Sequence, residues 1–149
     1  MEWSDWERLY EGGYFEPPEG GSLRPEFVRR DTIDDLALKI ANDGDGLTRT
    51  QARRFFQHCR RIEQKLKGGQ GRKARWDDVR VDVFKLDNAA ADARNKDRPK
   101  IPRLFHDFIM CNVRAVRTER DFLDGFLRHF EALIGFGSGY FKKDQGAGR

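Results

Sequence analysis

Cysteine is scarce in this 149-residue chain: Cys59 and Cys111 are the only two, far apart and without a Cys-x-x-Cys pair. That spacing writes neither a zinc site nor a redox dithiol into the chain. Both fall among apolar residues, so the expectation is buried free thiols in a reducing, cytoplasmic compartment. Histidine is nearly as rare, with His58, His106 and His129 alone. None has a metal-ligating partner at useful spacing. His129 and Glu131, two apart on a helix, do not face each other. No apolar run approaches the length of a membrane span, and the acidic start MEWSDWERLYEGG does not read as a signal peptide. GGQGRK lacks the GK[ST] of a phosphate-binding loop. NDGDG resembles part of a calcium loop, but Ala41 and Ala52 stand where its first and last carboxylates belong. No carboxylate cluster suits two-metal nuclease chemistry. These absences point away from metals, cofactors and catalysis, and towards a binding and assembly protein. A small ribonuclease using His58 or His106 is the last-ranked alternative.

What the chain does contain is phenylalanine and unevenly placed charge. Twelve Phe and three Trp supply a modest core to a chain that is only 38% hydrophobic, and its length suits one domain. Residues 1–46 carry 5 basic and 12 acidic side chains, net −7. Residues 47–75 carry 10 basic and one acidic, net +9, and residues 76–149 carry 14 and 12, net +2. Nearly all the positive excess of the +4 chain therefore sits in one short segment, which directs attention to polyanions. The alternative is that the acidic and basic segments neutralise each other in the fold. The opposite charges also raise the arrangement in which the acidic arm folds over the basic helix when no polyanion is bound.

Gly- and Pro-rich breaks divide the chain at 12–26, 42–46, 67–75 and 135–139. Between them the apolar period is helical. Ile33, Leu36, Ala37 and Ile40 form one stripe; Ala52, Phe55, Phe56, Cys59, Ile62 and Leu66 a second. Leu104, Phe105, Phe108 and Cys111 form another, as do Phe122, Phe126, Phe130, Leu133 and Ile134. Segment 76–98 alternates like a strand at VRVDVF, but its length and the AAADA run favour helix. Hydroxyl caps are expected at Thr32, Thr48 and Thr118, each followed three residues later by Asp or Gln, and Pro102 suits a first helical turn. The expectation is an all-α, compact bundle of about five helices over 31–143. An irregular or partly helical arm (1–30) precedes it and a loose tail (144–149) follows. Trp3, Trp6 and Tyr10 share a face if the arm is helical, and either cover one end of the bundle or anchor a neighbouring subunit.

The stretch LTRTQARRFFQHCRRI (47–62) is the most informative. At about 100° per residue its apolar set spans an arc of roughly 120°, the width of a core-facing stripe. Arg49, Arg53, Arg60 and Lys67 cluster on a different face, and Arg54, Arg61 and Lys65 form a second row. Seven cations between 49 and 67 face one acid, Glu63, where a helix built only for solubility would mix signs. Arginine dominates, and a planar guanidinium suits bidentate phosphate contacts. Arg72, Lys73 and Arg75 add charge in the loop beyond. This pattern signals nucleic acid, without sequence readout. A helical adaptor whose basic helix docks an acidic protein is the competing reading.

Three stretches together resemble a known family. LTRTQARRFFQHCRRI is similar to its L-T-x-x-Q-x-R-x-F helix start, DNAAADAR (87–94) to its Ala-rich segment ending in Arg, and FLDGFLRHFEALIGF (122–136) to its C-terminal F-x-x-F-x-x-x-F-E-A helix. The family is the small subunit of type III-A (Csm) CRISPR–Cas effector complexes, and the likeness runs over roughly residues 45–143. It implies an all-helical, non-catalytic antiviral-defence subunit without cofactor or metal. Several copies would self-associate in a filament with other effector subunits and with guide RNA and target RNA. They would touch chiefly the target strand's backbone, leaving cleavage to other subunits. Matched to these motifs, Arg53 and Arg94 are the RNA-contact candidates, to which the helical geometry adds Arg49, Arg54, Arg60, Arg61 and Lys67.

Overall fold

A computed structural model describes residues 1–69 and 71–143. The expected tail at 144–149 lies outside the described residues. Six α-helices form a bundle: α1 (Trp3–Tyr10), α2 (Arg30–Ala41), α3 (Arg49–Lys67), α4 (Trp76–Arg94), α5 (Arg103–Ala115) and α6 (Leu127–Gly137). A 3₁₀ turn at Pro25–Phe27 precedes α2, and a π-helical turn at Asp121–Phe126 runs into α6. No strand occurs among the described residues, only isolated bridges at Phe15–Leu23 and Thr48–Lys142. Segment 76–94 is helix, as length and alanine content predict, because Val79, Val83, Leu86 and Ala90 all face the core.

Caps explain most of the boundaries. Thr48 Oγ1 accepts the Gln51 N–H at 3.1 Å, and α3 ends at Gly68, whose φ of 74° is the left-handed conformation that closes a helix. Thr118 and Asp121 cap reciprocally, each side chain accepting the other's backbone N–H, at 3.1 and 3.2 Å. Thr32 does not cap. The helix begins earlier, at Arg30, so Thr32 sits inside the first turn and its N–H donates to Asp31 Oδ1 at 2.9 Å. Pro102 stands one residue before α5, in the capping position it has no side chain to fill. Asp43, from the NDGDG loop, fills it instead, accepting the Leu104 N–H at 2.8 Å.

The core is aromatic. Phe105, Phe108, Phe122, Phe126 and Phe130 are all inaccessible to solvent and meet in stacked and edge-on pairs. Phe55 joins it from α3, touching Phe105, and Phe56 touches Phe130. The N-terminal segment belongs to the same core: Trp6, Tyr14 and Phe27 are fully buried, while Trp3 is exposed.

A directional chain of buried and part-buried hydrogen bonds fastens this segment. Phe27 O can only accept, so His129 Nδ1–H donates to it at 2.7 Å and Nε2 is left as an acceptor. Tyr10 O–H donates to that Nε2 at 2.8 Å. Asn112 Nδ2 donates to Tyr10 Oη and to Phe108 O, both at 2.8 Å, and Tyr14 O–H donates to Asn112 Oδ1 at 2.7 Å. Burial pushes both tyrosine hydroxyls well above their usual range, so they stay protonated and donate. Tyr14 lies against the π turn, where a Cβ on Gly125 would sit 2.6 Å from its ring. Gly125→Ala is therefore expected to lower stability by about 2 kcal/mol, read as a drop in the urea midpoint; an unchanged midpoint would show that the ring can move away.

Candidate nucleic-acid interface

α3 presents its cations along two edges because its neighbours occupy the space between. The helix buries Ala52, Phe55, Cys59, Ile62 and Leu66. One flank meets α6 through Phe56 and Phe130. The other meets α4, where His58 Nε2–H donates to Asp82 O at 2.8 Å. Cys59 and Cys111 are buried free thiols, and burial raises both well above the ordinary thiol range, Cys111 to about 12.

The row on the α6 edge is partly spent. Glu63, nearly covered, accepts from Arg60 Nη1 at 2.8 Å and from Lys67 Nζ at 3.1 Å. Burial alone would push the Glu63 carboxyl up, but its bonds to Lys67 and Arg60 more than offset this and leave it below its ordinary value. Arg60 also lies over the Phe56 ring, 5.4 Å from its centroid. Arg49 is half-buried, with an Nε that has no partner among the described residues. Only Arg53 of this row is exposed without an ion pair among the described residues.

The row on the α4 edge divides differently. Lys65 pairs with Asp82 at 3.0 Å, and Asp82 also holds Lys85 at 3.5 Å. Arg54 and Arg61 are exposed with no ion pair among the described residues. They line a groove of about 400 Å³ between α3 and α4, and the opposite wall brings Lys96 and Lys100 to it. One carboxylate, Asp92, lines the same groove and pairs with Lys96 at 3.3 Å.

The remaining candidates lie elsewhere. Arg72, Lys73 and Arg75 are exposed in the α3–α4 loop, with Arg75 at 4.0 Å from Asp77. Arg94 ends α4 beside the 43–46 loop and Arg103, not in the groove with Arg54 and Arg61. Lys96 and Lys100 were not among the expected contacts. Their signal is the run RNKDRPK (94–100), which an antiparallel α3–α4 hairpin folds back beside the start of α3.

The acidic first segment does not neutralise α3. The carboxylates paired with α3 are Glu63 and Asp82, and among the described residues no hydrogen bond or ion pair joins α3 to residues 1–41. The arm is instead bonded to α5, α6 and the segment between them, with Arg120 donating to Gly21 O at 2.5 Å. An arm folded over the basic helix is thus not what the structure holds.

Among the described residues no group of three or more His, Cys, Asp or Glu is placed to hold a metal ion, and no helix is long and apolar enough to cross a membrane. A family model described as Csm2 Type III-A matches residues 29–143. No curated protein and no solved structure matches the chain.

Proposed function

The chain belongs to the Csm2 type III-A family, and on that premise we propose that it binds RNA along α3 and the α3–α4 groove through sequence-independent contacts to the phosphate backbone. The family is the small subunit of the type III-A Csm effector complex, a CRISPR ribonucleoprotein, and membership implies association with other Csm subunits and CRISPR RNA. Within that assembly the proposed role is a non-catalytic scaffold facing the target strand of the guide–target duplex, with repeated copies lining it.

The observation that carries this reading is the convergence of Arg54 and Arg61 from one helix with Lys96 and Lys100 from the other wall on one groove. Four cations against one carboxylate leave an excess that phosphates relieve. Nothing about such contacts distinguishes one base from another, as a subunit serving any guide requires.

The test is a titration of the purified chain with single-stranded RNA of several sequences across a salt series. Four phosphate contacts predict a log–log slope of about −3, with sequences agreeing within a few-fold. A slope near zero, or strong preference for one sequence, would refute the reading. A protein-docking role has its own support in Val81 and Phe84, exposed on α4 with Arg80 over the Phe84 ring at 5.8 Å. If that face serves the other Csm subunits, Phe84→Ser weakens their capture and leaves the RNA titration unchanged.

A further inference from the structure

We infer that the α3–α4 groove recognises the ribose 2′-hydroxyl, so that the subunit prefers an RNA strand to a DNA strand of the same sequence. The inference rests on the reading of the groove as an RNA track and adds which part of the nucleotide is read.

A DNA backbone offers acceptors only, so a groove shaped for phosphates alone needs nothing but donors. This groove also carries acceptors. Asp82 O can only accept, so His58 carries its proton on Nε2, and a neutral imidazole then leaves Nδ1 as an acceptor. No partner for that Nδ1 occurs among the described residues. Asp92 meets Lys96 through Oδ2 alone, leaving Oδ1 without a partner among the described residues. Both residues line the groove with Arg54, Arg61, Lys96 and Lys100. A carboxylate set among phosphate-binding cations opposes a phosphate chain unless the ligand brings a donor. The 2′-hydroxyl is that donor, present on every nucleotide of RNA and absent from DNA.

The experiment compares three strands of one sequence on the full-length chain: RNA, 2′-O-methyl RNA and DNA. The methyl ether keeps the oxygen and the RNA-like sugar pucker but removes the donated proton. RNA is expected to bind about five-fold tighter than either, the effect of one hydrogen bond. Asp92→Ala and His58→Phe should each bring the ratios towards one. Asp92→Ala does so while tightening DNA binding, because a repelling charge is gone.

Equal affinity for RNA and 2′-O-methyl RNA would overturn the inference, as would a preference that survives both substitutions. The RNA track itself is judged separately, by Arg54→Gln with Arg61→Gln. If that pair weakens all three strands while the 2′ group makes no difference, the track stands and the hydroxyl reading falls. If the pair changes nothing, both fall.

Discussion

Exchanging Arg54 and Arg61 together for glutamine is expected to weaken binding to single-stranded RNA by about 30-fold at low salt. The same exchange at Arg60 and Lys67 should weaken it by about five-fold. Both variants remove two formal charges from the same helix, so the loss of long-range attraction is common to them. The excess measures direct contacts. Arg54 and Arg61 are exposed in the groove, and no ion pair among the described residues competes for them. Arg60 and Lys67 already donate to Glu63, at 2.8 and 3.1 Å. Two charge-assisted bonds to phosphate, discounted for exposure to about 1 kcal/mol each, correspond to the 30-fold figure. The salt slope should flatten by about 1.4 in the first variant. Equal losses in the two variants would mean that the groove has no special part and that the whole helix acts as a diffuse cation.

How much of this arrangement can be read from the residues alone depends on sequence distance. The α3 helix is legible because everything that shapes it is local: a threonine cap with Gln51, a stripe at period 3.6, and a glycine stop. Even the partial neutralisation of its first row is local. Glu63 sits three residues after Arg60 and four before Lys67, a spacing that brings both to one carboxylate. Seven cations against a single acid therefore do not leave seven free charges, because that one acid holds two of them. The groove is less legible, because Lys96 and Lys100 meet Arg54 only once the register of the α3–α4 hairpin is known. The cap on α5 is less legible still. Pro102 offers no side-chain acceptor, and the one that serves comes from Asp43, 61 residues before the Leu104 N–H that it accepts.

The fastening of the N-terminal segment was the least legible feature, since Tyr10 and His129 are 119 positions apart. Three histidines without metal-ligand spacing give no hint that one of them is held between a tyrosine and a backbone carbonyl. The stripe that carries His129 reads only as core. The physical reason for a polar group there appears when all partners are in place: each donor in the chain Tyr14, Asn112, Tyr10, His129, Phe27 finds one acceptor.

That chain gives the fold a pH dependence. His129 is fully buried, and burial lowers it to about 4 from an ordinary value of 6.5, against the opposing bond to Phe27 O. Its folded value lies below its unfolded one, so between the two the unfolded chain binds the extra proton and stability rises with pH. The contribution is complete above pH 6.5 and is lost as pH falls towards 4, about 3 kcal/mol in all. Between pH 7 and pH 5 the loss should be about 2 kcal/mol. The acids held below their ordinary values, Asp31, Glu63 and Asp82, add their own losses only at lower pH. Structurally, a protonated His129 donates from both nitrogens. Tyr10 Oη then faces donors from Asn112 and from His129, and its own proton has nowhere to go. His129→Phe keeps a ring in the site but cannot titrate. It lowers stability at neutral pH by leaving Phe27 O unpaired, and it should flatten the decline between pH 7 and pH 5. Urea unfolding at each pH, followed by circular dichroism, separates level from slope. A variant that declines as steeply as the parent would place the acid sensitivity elsewhere in the bundle.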